Sequence, residues 1–173
     1  MSIIRKVTRK FIGDRKGSAA IEFAILALPF FVVIFAIAEI AVIYFVDSGL
    51  DAALHKAVRQ VRVGIAKNGN WDATKFKQVV CGELAFSFNC STKLKVRATV
   101  VTDMSSITKA SPISGGNLNV TEDFNLGDSG SYVLVQAFLP WNPTFKLYSI
   151  SSSQLADGSY VLGSAELIKN EPF

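Results

Sequence analysis

The sequence predicts an α+β protein: a long N-terminal helix crosses a membrane and continues into a small domain built on an antiparallel sheet. Three observations predict this. Residues 23–46 hold an outsized share of the apolar side chains. The basic excess is confined to the segment just before them. Beyond about residue 90 the hydrophobic period changes from three or four residues to two.

The chain has 173 residues, half of them hydrophobic, which allows one membrane helix and one modest domain. Its formal net charge is +4. Residues 1–17 carry Arg5, Lys6, Arg9, Lys10, Arg15 and Lys16 against Asp14 alone. In the remaining residues acidic and basic side chains nearly balance. A nucleic-acid partner needs a basic patch on the folded part, and none is expected there. A basic flank ahead of an apolar run belongs on the cytoplasmic side, which puts the later domain outside the cytoplasm. The expected topology is single-pass, with the N-terminus cytoplasmic and the C-terminal domain on the far side of the membrane.

The expected organisation has four parts. Residues 1–17 form a basic cytoplasmic leader, 18–46 a transmembrane helix, 47–66 an amphipathic extension of it, and 67–173 the exported α+β domain. The run from Ser18 to Val46 spans roughly 43 Å as a helix, against a hydrocarbon core of about 30 Å. A buried core helix and a cleavable secretory signal are the alternatives; Ala36 and Ala38 would mark the cut of a signal. Pro29 removes one helical hydrogen bond, which membrane helices tolerate.

Glu22 and Glu39 stand out in this apolar company. An ionised carboxylate at the bilayer centre costs about 2.5–3.5 kcal/mol, so such residues usually mark a partner or a function. Seventeen positions separate the two, which places them about 100° apart around a helix and not in one stacked site. Glu22 belongs near the cytoplasmic interface. Glu39 belongs deeper or near the far headgroups, according to register.

Past the run, Leu50, Ala53, Leu54, Ala57, Val58 and Val61 continue a helical stripe, so one helix is expected from about Ser18 to about Ala66. His55 on that helix reads as a surface or packing residue. Residues 71–84 follow as a helix with Asp72 or Thr74 as cap and Trp71 in the core. Cys81 and Cys90 fall in the exported part, where disulfides persist. A bridge between them would close a loop of about ten residues, for roughly 2–3 kcal/mol; two buried thiols are the alternative. With one distant histidine they do not make a metal site.

Alternation at Leu94, Val96, Ala98 and Val100 predicts a half-exposed strand over Lys93–Val101. Residues 105–130 are rich in Ser, Gly, Asn and Asp and read as a long loop, broken by a short piece around Leu118–Phe124. Tyr132–Leu139 is the strongest strand and is expected at the centre. Pro140 and Pro143 frame a turn, Phe145–Ile150 forms a short strand or arm, 151–159 is loop, and Tyr160–Ile168 is the last strand. Phe138, Trp141 and Phe145 form the main aromatic cluster, as core first and as a subunit contact second.

The junction Gly17-Ser18-Ala19-Ala20-Ile21-Glu22-Phe23 resembles the processing site of type IV prepilin-like proteins. In particular, residues 13–46 resemble the TadE/TadG-like minor pseudopilins of the bacterial tight-adherence (Tad, or Flp) pilus system. Phe23, Ala24 and Pro29 occupy places usual in that family, and Lys169-Asn170-Glu171-Pro172 is similar to the ending of some members. The resemblance implies a type IV pilin-like fold and cleavage between Gly17 and Ser18 by a prepilin peptidase. It also implies that Glu22 is the fifth mature residue and acts in assembly. Glycine suits a protease cleft because it carries no side chain. Cleavage would free an α-amine on Ser18 that a neighbouring subunit's Glu22 attracts, although such buried pairs often only break even.

The function expected is therefore that of a minor pilin or pseudopilin-like component of a Tad-type pilus assembly or secretion system, contributing to pilus biogenesis and adhesion. Its partners would be a prepilin peptidase, other pilins or pseudopilins, inner-membrane assembly proteins and membrane lipid. No cofactor is expected. An enzyme is disfavoured: the sequence has no phosphate loop and no metal-ligand spacing, and Gly127-Asp128-Ser129-Gly130 has no partner histidine. A membrane-tethered binding or sensor domain unrelated to pili is the alternative, and it would need neither Gly17 nor Glu22.

Overall fold

The computed structural model describes residues 17–84, 89–103, 112–144 and 154–173. The chain divides into two compact units, residues 1–38 and 39–173. The first is the N-terminal part of helix α1, which runs over Ser18–Arg62 with Pro29 inside it. From Ile21 to Ile37 its large apolar side chains are exposed, Phe23 at 71%. Only a lipid or protein surround satisfies such a surface. This helix is long and apolar enough to cross a membrane.

The second unit begins with the rest of α1. Here the stripe read from the sequence turns inward: Val46, Leu50, Ala53, Leu54, Ala57, Val58 and Val61 are buried. Leu50 and Leu54 are almost wholly enclosed, worth about 1.5–3 kcal/mol each as an upper figure. The helix does not reach Ala66 without interruption. It stops at Arg62, because Gly64 takes φ 80°, a left-handed conformation that ends helices. A one-turn helix, α2, resumes over Ile65–Asn68 and buries Ala66.

Helix α3 spans Ala73–Glu83. Asp72 is its cap: the side chain accepts a hydrogen bond from the Lys75 amide at 2.7 Å, satisfying one of the orphan donors of the first turn. Phe76, Val80 and Cys81 line its inner face, and Trp71 packs partly buried on the same core. Helix α4, Cys90–Lys93, follows.

Three strands form the main sheet, β1 (Lys95–Val100), β4 (Tyr132–Trp141) and β5 (Tyr160–Lys169), in the antiparallel order β1-β4-β5. Alternation decides which side faces in. Val96 and Ala98 of β1, Val133, Val135, Ala137 and Leu139 of β4, and Leu162 and Ile168 of β5 are buried. They join the α1 stripe and α3 in one apolar core. Tyr132–Leu139 is thus central, as its composition implied, but the strand runs on to Trp141. Pro140 lies inside it opposite Val161 and does not frame a turn. The β1 ladder has already ended at the Lys95–Phe138 pair, so a residue without an N–H is tolerated there.

Two further differences concern loop-rich stretches. Lys93 belongs to α4, and β1 starts two residues later than the alternation suggested. Within the Ser- and Gly-rich region, β2 (Ile113–Ser114) and β3 (Asn117–Leu118) make a small hairpin. Gly115 and Gly116 join them at φ 58° and 74°, the positive values a tight hairpin turn demands. Phe124 makes a parallel bridge to Ala98 and sets its ring 5.3 Å from that of Phe76. The arm expected at Phe145–Ile150, and with it Phe145 of the aromatic cluster, lies outside the described residues.

Candidate processing and assembly site

Gly17 directly precedes the first residue of α1. A Cβ built on it would meet no atom within 4 Å. The described residues therefore give no steric reason for glycine at this position. Gly64 is the contrast: its φ is positive, and a Cβ there would overlap the Phe173 ring. Gly64 is demanded from inside the molecule. Gly17, like Gly82, carries no such demand among the described residues.

Ser18 to Phe23 form the opening of α1 and are exposed. Glu22 follows Ser18 by four residues, so the two share one side of the helix. Glu39 has different surroundings. Its side chain is buried, with 7% of the residue exposed, at the start of the second unit.

Cys81 and Cys90 are joined by a disulfide with their Cα atoms 5.7 Å apart. It ties the last turn of α3 to the start of α4. His55 is 74% exposed and places Nδ1 3.2 Å from Oε1 of Glu166 on β5, a surface contact between helix and sheet. Among the described residues no cluster of three or more His, Cys, Asp or Glu is placed to hold a metal ion.

Two polar constellations have no counterpart in the chain's periodicity. Glu122 receives Lys77, Lys95 at 3.1 Å and the Val96 amide at 3.3 Å, binding α3, β1 and the segment before Phe124 together. Burial alone would push its carboxyl up, but these hydrogen bonds and the Lys77 charge hold it below the ordinary glutamate value. At the other end of the unit, Asn170 is buried and its Nδ2 donates to the carbonyls of Leu126 at 2.8 Å and Asp128 at 3.1 Å. The signal of it in the sequence is the Lys169-Asn170-Glu171-Pro172 ending, which gives no hint of the partners of Asn170.

The sequence model of the TadE-like protein family matches residues 17–59. This segment is TadE-like. The match opens on Gly17, one residue before α1, and closes on Arg59, three residues before the helix ends. The TadE-like segment thus contains Gly17, Ser18, Glu22, Phe23 and Glu39 and none of the sheet. No curated protein and no solved structure matches the chain. The family points to a component associated with a Tad pilus, a structural and non-enzymatic kind of protein.

Proposed function

We propose that this protein is a minor pilin or pseudopilin-like component of a Tad-type pilus assembly or secretion system. It is made as a precursor and cut between Gly17 and Ser18 by a prepilin peptidase. It is held in the inner membrane by α1, with residues 67–173 in the periplasm. Glu22 and Glu39 serve assembly with other pilins or pseudopilins and inner-membrane assembly proteins.

The observation that carries this reading is the coincidence at Gly17. The family match opens on this glycine and α1 begins one residue after it. A residue without a side chain at that point suits a peptidase cleft. The basic residues before Gly17 keep that bond on the cytoplasmic side. The exposed, charge-free surface of Phe23–Ile37 then supplies what a bundle of like helices in lipid packs together. Cleavage creates an α-amine at the head of that helix, one turn from Glu22.

The test is the N-terminal residue of the mature protein in its native membrane, for the natural chain and for Gly17→Val. The natural chain is expected to begin at Ser18. The variant is expected to keep its leader while inserting and folding normally, since a larger side chain at residue 17 meets nothing in the fold. A variant that is trimmed like the natural chain would remove the peptidase from the account.

A further inference from the structure

Within the second unit, α1 and the end of β4 enclose an open groove of about 760 Å³. One wall is Val42 and Phe45, which are three residues apart and so share a side of the helix. The other is Leu139 and Trp141. The lining is mostly apolar, and its polar members among the described residues, Lys93, Asn142 and Thr144, are exposed. Val42 and Phe45 retain 49% and 58% exposure. They belong to the charge-free run between Glu39 and Asp47, the last part of the helix before the exported domain packs around it.

We propose that this groove holds one acyl chain of an anionic phospholipid of the outer leaflet, with its phosphate against Lys93 and Asn142. This rests on the reading of α1 as the membrane span. Three features select that occupant. The volume lies in the range of pockets that enclose a small amphipathic ligand. The groove is mostly apolar and carries one cation, Lys93, on exposed polar lining, which suits a phospholipid with its acyl chain inside and its headgroup outside. Its helical wall is continuous with the apolar run of the span, and a tryptophan and a lysine beside it are the side chains that favour the headgroup level. A second copy of the chain would cover Val42 and Phe45 equally well but would leave the cationic rim without an anion. The lipid would brace the exported domain against the end of its own anchor, fixing the domain's height over the membrane.

The experiment uses the full-length protein in nanodiscs of zwitterionic phosphatidylcholine with a trace of phosphatidylglycerol carrying a diazirine on one chain. Cross-linked residues are mapped by mass spectrometry. Labelling is expected at Val42, Phe45, Leu139 or Trp141, competed by unlabelled phosphatidylglycerol and not by phosphatidylcholine. Lys93→Gln is expected to lower it about fivefold, the upper end for the loss of one exposed ion pair. Val42→Trp, which fills the groove, is expected to abolish it. Labelling over residues 23–38 is expected to persist in both variants as ordinary lipid contact. If residues 23–38 label and the groove does not, or if groove labelling ignores both variants, the proposal is overturned and the span stands. If neither region labels, the membrane reading of α1 falls with it. Cross-links that join two copies through Val42 or Phe45 would assign the groove to a second chain and overturn the proposal.

Discussion

Arg62, the last residue of α1, and Glu171, two residues past β5, meet twice. The Glu171 amide donates to the Arg62 carbonyl at 2.9 Å, and Arg62 Nε lies 3.1 Å from Glu171 Oε1. The backbone bond satisfies one of the carbonyls that a helix end leaves without an intrahelical partner. The neighbouring residues extend the seam. The Asn170 amide donates to the Ser131 carbonyl at 2.9 Å, and Phe173 covers Gly64. The residues after β5 therefore lock the end of the helix to the loop before β4.

The two halves of this seam differ in weight. The Arg62–Glu171 side chains are about half exposed, and such pairs contribute roughly 0–1 kcal/mol. Glu171→Ala keeps the backbone bond and is expected to lower stability by less than about 1 kcal/mol. Asn170→Ala strips hydrogen bonds from two carbonyls inside the fold and is expected to cost about 1–3 kcal/mol. Denaturant midpoints of the purified protein in detergent give the comparison; equal effects would remove the special place of Asn170.

Gly64→Ala forces a side chain into the left-handed region, at about 1–2 kcal/mol, and drives it into the Phe173 ring. Adding Phe173→Ala to Gly64→Ala is expected to recover the steric part and leave the backbone part. The cycle of single and double variants measures this: strict additivity would mean that the ring and the glycine do not act on each other.

Much of this architecture is legible in the sequence, and the unread parts share a cause. The stripe from Leu50 to Val61 and the alternation in Val96–Ala98 and Val133–Leu139 are local patterns, and local patterns announce elements and their inner faces. The end of α1 is not local. Gly64 lies in a stretch whose residues still suit a helix, and its conformation is fixed together with Phe173, more than a hundred residues away. Pro140 reads as a breaker until one knows that β1 has ended beside it. Glu122 and Asn170 are single polar residues whose partners come from distant segments, so no spacing reveals them. At the candidate site the sequence alone points to Gly17 and Glu22; the family match spans both, and the described residues leave open space at Gly17.

The Cys81–Cys90 bridge is expected to survive purification, leaving no free thiol in the unreduced protein. Replacing both cysteines by serine is expected to lower stability by about 2–3 kcal/mol, the figure for so short a loop. Thiol labelling under denaturing conditions, followed by unfolding curves, checks both statements. Full alkylation without reductant would contradict the first.

Glu122 sets an acid limit on the exported domain. Its folded-state carboxyl titrates below the unfolded value of about 4.3, so its contribution is complete above that pH. The contribution is lost as pH falls from there through the lower folded value. Glu122→Gln is expected to lower stability at neutral pH and to converge with the natural protein in acid. A difference that stays constant down to about pH 3 would mean that the charge of Glu122 contributes nothing. Lys77 and Lys95 keep their charge throughout this range.

The central claim, that Gly17 marks a cut and α1 begins the mature protein, is tested most directly by the N-terminal residue of the chain recovered from its native membrane. The account predicts Ser18 for the natural sequence and an unprocessed leader for Gly17→Val. A natural chain that still carries Met1–Gly17 would leave a tethered domain with no link to pilus assembly. A chain that begins just after Ala38 would make the span a discarded signal. Either result would contradict the account.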